Sequence, residues 1–476
     1  MVERKKMVQP PARGDRPRRD YSVFLRAKQK SALSCGIKPK TLVASAEMRD
    51  FQRDIVRWAL RMGRAAVFAG TGLGKTIMAL SWAGTLVRER GVRALILTPL
   101  AVAQQFKREG RKFGVDVQVC AGQTDVTRGI NVTNYEKLHK FDLSEFGAVV
   151  LDESSILKSY DGKTRTHIIQ ACARVPYRLA CTATPSPNDF MELGNHAEFV
   201  GAASYTDMLS TFFTHDGGDT SKWRLRGHAE NEFWRWVSTW AVMFQHPRDL
   251  GYSGVDDFNL PELRERYHVV KTPAVNGAGT FLADVAVDLR GRIAARRASV
   301  GERVRAAVDL TPKAGEPFVW WCSLNAESAA LAAAIDGAVE LSGSDSENVK
   351  IKKLNDFASG RVRVLVTKPS ICGHGLNWQH CHMTGFVGLT DSFEQVYQAV
   401  RRFWRFGQKH PVDVQYVTAD SEGAVLANIR RKHEDGEKMR AGMLRNMVSL
   451  NSAHLRETDL AFSSPVSVPP ILPVWL

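Results

Sequence analysis

"AGTGLGKT", Ala69–Thr76, is the stretch that decides how this chain is read. It follows a short apolar run of β type, Ala65–Ala69, and opens a helical pattern, Thr76–Arg90. That context matters more than the letters, because a glycine-rich loop with no ligand is the alternative reading. Between a strand and a helix, glycines at 70, 72 and 74 and the intervening Thr71 let the backbone wrap phosphate oxygens, and the helix N-terminus adds donors. Lys75 then reaches the β- and γ-phosphates of a nucleotide, and Thr76 can ligate Mg²⁺. Ala69 stands where the general pattern has its first glycine.

Outward from this loop, apolar runs alternate with helical patterns, the signature of an α/β fold built on a parallel sheet. Further strands are expected at Arg93–Thr98, Ile130–Thr133, Ala148–Leu151 and Tyr177–Cys181, with a crossover helix at Lys163–Arg174. A second series begins with "FVWWC" at Phe318 and continues at Arg361, Met383 and Val412. The expected order is a basic tail over 1–45, a first lobe over 46–194, a helical insertion over 195–262 and a connection over 263–312. A second lobe over 313–440 and a C-terminal tail over 441–476 complete it. In the insertion, "WRLRGHAENEFWRWVSTWAVMF" is aromatic-rich with helical period, and core packing is favoured over base stacking for its tryptophans.

The 476 residues carry 65 Lys and Arg against 50 Asp and Glu, a net charge of +15 that favours polyanionic partners. The first 40 residues supply +9 of it, and their Pro, Gly and Arg content predicts disorder. No run of about 18 apolar residues exists, so no membrane is expected and a cytoplasmic setting is. Seven scattered cysteines fit a reducing compartment. Cys372, His374, His380, Cys381 and His382 cluster in sequence but lack the spacing of a zinc site.

A phosphate loop needs a second carboxylate for the metal and a group to orient water. "VVLDESS", Val149–Ser155, ends an apolar run with both, Asp152 for Mg²⁺ and Glu153 for the water. Near the other end, "QAVRRFWRFGQ", Gln398–Gln408, mixes three arginines with three aromatic rings. Composition alone leaves it a nucleic-acid groove, a membrane-facing helix or an ion-pair cluster. Read as a helix over Phe393–Phe406, it puts Gln395, Gln398, Arg402 and Arg405 along one face and Val396, Val400 and Phe403 on another, with Gly407 as its stop.

From Met48 to Lys432 these motifs, in this order, resemble the superfamily 2 helicases and, within them, the Swi/Snf-related DNA-dependent ATPases. "MRDFQRDIVRWAL" is similar to the family's adenine-recognition segment, with Gln52 in the adenine-reading place. "DESSILKS" matches the Asp-Glu box with Lys158 at the usual offset, and "TATPSPNDFMEL" the Thr-x-Thr-Pro segment with Asn188 and Glu192. "GHGLN", Gly373–Asn377, resembles the Gly-x-Gly-Leu-Asn motif, and "QAVRRFWRFGQ" the Gln-Ala-x-x-Arg-x-x-Arg-x-Gly-Gln motif.

The resemblance implies two tandem RecA-like lobes, parallel sheets flanked by helices, with a helical insertion between them. It implies Lys75, Asp152, Glu153, Arg402 and Arg405 as catalytic residues, and Gln52, Gly70, Thr71, Gly72, Gly74, Lys75, Thr76, Gly375 and Gln398 as nucleotide-binding residues. ATP and Mg²⁺ are the implied cofactors, with Thr76 and Asp152 on the metal, and Pro99, Gln104, Thr133, Asn134 and Thr367 become nucleic-acid candidates. Arg401 has no counterpart role. The implied activity is an ATP-dependent DNA translocase or helicase of compact phage or bacterial type, with duplex DNA of low sequence specificity as its partner, and replication or recombination proteins as further ones. An RNA-dependent ATPase and a nucleotide-gated DNA clamp without motor activity are the alternatives. One departure is plain: the basic Arg-Arg-x-Lys segment of chromatin motors is reduced, upstream of Leu260-Pro261, to Arg248.

Overall fold

The apolar run before the glycine loop forms strand β1, Arg64–Ala69. Its alternation is that of a strand covered on both faces: Ala65, Val67 and Ala69 enter one apolar layer and Ala66 and Phe68 the other. The computed structural model describes residues 35–99, 102–158, 162–186, 189–216, 219–271, 297–312, 315–372, 377–389, 392–420 and 423–455.

Around β1 lie β2 (Ala94–Thr98), β3 (Val117–Val119), β4 (Ile130–Asn134), β5 (Ala148–Asp152) and β6 (Tyr177–Thr182). After the two-stranded hairpin β7 (Phe213–Asp216) and β8 (Asp219–Leu225) comes β9, Ala241–Phe244. The order of the first sheet is β3-β4-β2-β5-β6-β1-β9, parallel at every pairing. A second parallel sheet, ordered β10-β15-β14-β11-β13-β12, is made from Leu263–Val270, Phe318–Cys322, Ala338–Glu340, Val364–Thr367, Met383–Val387 and Val412–Ala419, which are β10 to β15 in chain order. Trp321 enters one layer beside this sheet and Trp320 the other. The α/β fold with two parallel sheets flanked by helices is therefore as expected from the sequence, and every expected strand starts within three residues of its expected position.

Four boundaries differ from expectation, each because tertiary packing recruits a segment that carries no motif. Residues 35–45, expected in the tail, pack on the first lobe: Ile37 and Leu42 are buried, Ile37 N donates to Leu60 O (2.7 Å) of the helix Asp50–Met62, and on the helix Lys75–Arg90 Val43 N donates to Thr85 Oγ1 (3.1 Å) and Ser81 Oγ donates to Val43 O (2.6 Å). The insertion is not all helical, since "WRL" lies in β8 and "AVMF" is β9, an edge strand paired with β1. Only Glu230–Ser238 of that stretch is α-helix. Trp234 and Trp240 are buried in the adjoining layer, as favoured for core packing. β10, expected in the interlobe connection, is the edge of the second sheet. The last helix, Gly423–Leu455, runs through position 440, where the second lobe was expected to end. It returns to the first lobe, burying Met443, Met447 and Leu455 there, with Asn451 Nδ2 donating to Met243 O at 3.0 Å. Residues 1–34, Asn188 and the motif residues Gly373–Leu376, with Gly375 among them, lie outside the described residues.

Candidate nucleotide site and interlobe cleft

The loop after β1 stands at the carboxyl end of its sheet, where open α/β sheets receive ligands. Gly72 and Gly74 have φ of 87° and 84°, left-handed values that a side chain would strain, and Gly74 caps the helix Lys75–Arg90. Lys75 Nζ donates to the carbonyl oxygens of Ala69 (2.9 Å) and Gly70 (3.1 Å). Gln52, on the helix Asp50–Met62, clasps the same loop: Nε2 donates to Leu73 O (3.1 Å) and Oε1 accepts from Arg49 N (2.9 Å). Thr71 and Thr76 are half-buried beside it.

β5 delivers Asp152 and Glu153 to the same end of the sheet. Burial, then the adjacent Glu153 carboxylate, pushes the Asp152 carboxyl above the usual range against the pull of Lys75. Burial pushes the Lys75 ammonium down, and Glu153 and Asp152 push it back up. Glu153 Oε2 is buried with no hydrogen-bond partner among the described residues. The buried Asp152 carboxyl and the half-buried Thr76 hydroxyl are hard oxygen donors of the kind suited to a divalent cation such as Mg²⁺. Glu153 also has φ 53° and ψ 53°, a left-handed conformation that costs a residue with a Cβ roughly 1–2 kcal/mol.

The second lobe reaches over this site through "QAVRRFWRFGQ". Its α-helix spans Phe393–Val400 and not Phe393–Phe406; residues 401–406 turn back instead, with Arg402 N bonding Ala399 O (3.1 Å) and Phe403 N bonding Val400 O (3.0 Å). The turn is what lets Phe406 reach the first lobe: a Cβ on Gly72 would stand 2.6 Å from Phe406 N, and the Phe406 ring stacks on Phe258 at 4.5 Å. Gly407, at φ 89°, ends the turn, and Gln408 Nε2 ties it by bonds to the carbonyls of Gln379, Cys381 and Phe403. Val396, Val400 and Phe403 are buried in the second lobe, the anchoring set expected from helical phase.

Arg402, 1% exposed, donates from Nε to Gln398 O (2.9 Å) and from Nη2 to Gln398 Oε1 (3.1 Å). Gln398 Nε2 in turn donates to Thr184 Oγ1 in the first lobe (3.3 Å). The Arg402 charge acts on Asp152. Arg405 loses basicity through burial, opposed by Glu109 and Glu153. Lys158 pairs with Glu394 across the lobes. Arg401 instead lies over the rings of Trp404 (4.2 Å) and Tyr397 (4.9 Å).

Away from the loop, a cavity of about 260 Å³ opens between the lobes. Gln104, Thr133, Asn134, Arg108 and Lys137 line its first-lobe side, and Lys350 and Asn355 face them from the helix Glu347–Ala358. Gln104 is exposed, whereas Thr133 is buried with its hydroxyl on Cys120 O (2.9 Å) and Asn134 Oδ1 accepts from Lys137 N (3.1 Å). Thr367 is buried outside the cavity lining, its hydroxyl on Leu341 O (3.1 Å). Pro99 O accepts from Val102 N at 3.0 Å and is also not in the lining. Sequence reasoning missed Glu109, Tyr135, His196, Phe258 and Phe406. Only Phe406 sits inside a recognisable motif; for the others no local pattern signals the role.

Among curated proteins the chain is similar to protein p41 of Acyrthosiphon pisum secondary endosymbiont phage 1, at 23% identity over 78% of this chain and 92% of that protein. It is also similar to the DNA 3'-5' translocase XPB2 of Sulfurisphaera tokodaii, at 29% identity over 30% of this chain and 32% of the translocase. Among solved structures, the Sulfolobus solfataricus SWI2/SNF2 ATPase core in complex with dsDNA aligns over 88% of this chain and 98% of that one, at 16% identity and a TM-score of 0.41. The family model described as the SNF2-related domain matches residues 51–220. That match begins one residue before Gln52 and runs past Thr184, so the glycine loop and the Asp-Glu strand end both lie in the stretch that is similar to the SNF2-related domain.

Proposed function

We propose that this chain hydrolyses ATP between its two lobes and couples the cycle to movement along duplex DNA. The observation that carries the reading is the arginine turn of the second lobe, seated over the glycine loop with Arg402 acting on Asp152 and Arg405 on Glu109 and Glu153. The amides of Gly70, Thr71, Gly72 and Gly74 and the Lys75 ammonium hold the phosphates of ATP. Gln52 orients the base end from the helix that clasps the loop, and Gln398 couples Arg402 to Thr184. Thr76 and Asp152 would hold Mg²⁺, which when bound neutralises charge on the β- and γ-phosphates. Glu153 orients the attacking water through its unpartnered oxygen.

Negative charge grows on the γ-phosphoryl group during transfer, and arginines supplied from another body stabilise it by about 10³–10⁵ in rate. Because Arg402 and Arg405 belong to the second lobe, turnover requires closure, and loss of the γ-phosphate removes what holds them. Alternating closure and release, combined with grip on a phosphate backbone by both lobes, yields stepping. The polar and basic interlobe cavity at Gln104, Thr133, Asn134, Arg108, Lys137 and Lys350 is the surface suited to that backbone. The SNF2-related domain and the likeness to a DNA translocase favour DNA over RNA.

The test is steady-state ATP hydrolysis with no polymer, single-stranded DNA, duplex DNA and RNA, with Lys75→Ala as the inactive control. Strong stimulation by duplex is expected. Stimulation without strand displacement identifies translocation, and displacement identifies a helicase. Equal rates in all four conditions would sink the motor reading in favour of a nucleotide-gated clamp.

A further inference from the structure

Glu153 and Ala44 are the two residues other than glycine with positive φ among the described residues, and Glu153 is the one in the nucleotide site. A single residue stays in the left-handed region only where its flanks are fixed by surrounding structure. Both flanks of Glu153 are fixed by side chains outside the motifs. On the upstream side, Asp152 pairs with Cys181 in the sheet, and its carbonyl accepts from Tyr135 Oη at 2.7 Å. On the downstream side, Ser154 Oγ lies 3.0 Å from His196 Nε2, and both residues are fully buried.

His196 is itself immobilised. It stands in the helix Leu193–Val200, with its ring edge-on to Phe68 of β1 at 5.2 Å and 82°. β1 is the strand that delivers the glycine loop. Through Phe68, His196 and Ser154, the strand behind the phosphate loop therefore fixes the peptide that aims the Glu153 carboxylate. Burial pushes the imidazole down to about 4, so it is a neutral hydrogen-bonding group near pH 7, not a second charge in the site.

We propose that His196, acting through Ser154, is a positioning residue that holds Glu153 in the backbone conformation its work on water requires. This rests on the assignment of Glu153 as the water-orienting group under the proposed function. Neither side chain touches nucleotide; each acts on turnover only through the peptide between Asp152 and Ser154.

The experiment uses the full chain with saturating duplex DNA. Ser154→Ala, His196→Leu and His196→Gln are compared for kcat, KM for ATP, affinity for a non-hydrolysable ATP analogue and melting temperature. Misplacing a reacting group by about 1 Å costs on the order of 10²-fold. Ser154→Ala and His196→Leu are accordingly expected to lower kcat by roughly 10- to 100-fold with KM and analogue affinity unchanged, and His196→Gln to recover part of the loss through its amide. In a Glu153→Gln background, His196→Leu should have no further effect on single-turnover hydrolysis, because the group it aims is already gone. Should His196→Leu fail to fold, Ser154→Ala decides alone, since it removes one oxygen. A folded Ser154→Ala with wild-type kcat overturns the proposal, as does a parallel rise in KM or a full additional loss in the Glu153→Gln background. Wild-type turnover in Glu153→Gln alone would instead overturn the assignment of Glu153.

Discussion

Arg401, Arg402 and Arg405 lie within five residues, yet their surroundings differ completely. Arg401 is spread over two aromatic faces, Arg402 is locked to Gln398, and Arg405 is buried under the charge of Glu109 and Glu153. Arg405→Ala should lower ATP turnover on the order of 10³-fold with nucleotide and DNA affinity nearly intact, read by steady-state hydrolysis beside equilibrium binding. Loss of DNA binding with near-normal hydrolysis would return the arginine to a nucleic-acid role. Arg401→Ala removes only ring contacts, so it should cost about 0.5–1 kcal/mol of stability and leave turnover close to wild type. His196 adds a pH dependence whose sign is fixed by burial. Its folded pKa of about 4 lies below the unfolded value of about 6.5, so between these pH values the unfolded chain binds the extra proton. Stability from this group is complete above about pH 6.5 and is lost as pH falls toward 4, by about 3 kcal/mol in all. Denaturant titrations at several pH values should show a shallower acid loss in His196→Leu than in the wild type.

At the scale of elements, the strands were legible because parallel strands buried on both faces are short, continuous apolar runs, and β1, β2, β5, β6 and β11 are of that kind. β9 was not legible. "AVMF" directly follows a helix with aromatic residues at helical spacing, and only its pairing with β1 makes it a strand. The helix Phe393–Val400 was overextended for a related reason. Residues 401–406 keep helical phase in their apolar positions, but the contacts of Phe406 with Gly72 and Phe258 require a turn. Local propensity loses to tertiary contact in both places. Trp240, at the entrance to β9, is fully buried against Phe68 and Trp236. Trp240→Ala should therefore destabilise the first lobe by about 3–5 kcal/mol, measured as a lower urea midpoint with an unchanged slope.

At the scale of the whole molecule, the lobes are joined by contacts of very different strength. The Lys158–Glu394 pair has a side chain 41% exposed on one member, so screening leaves it worth no more than about 1 kcal/mol. The helix Gly423–Leu455 is the stronger tie, because it buries Met443 and Met447 in the first lobe. Met447→Asp places a charge where the side chain is fully buried, so the helix should detach. Small-angle scattering should then show a larger radius of gyration, and a single thermal transition should divide into two. An unchanged radius with intact folding would show that the interlobe cleft holds without this helix. The sequence by itself determined the two parallel sheets, the glycine loop, the Asp-Glu strand end and the identity of the arginines, because each depends on residues close together in the chain. Tertiary structure alone decided that Arg402 comes under the charge of Asp152 and Arg405 under that of Glu109 and Glu153, which strand closes the first sheet, and that Tyr135 and His196 hold the peptide around Glu153. Those relations join residues separated by tens to hundreds of positions, and spacing along a chain carries no information about which distant surfaces come to share a cleft.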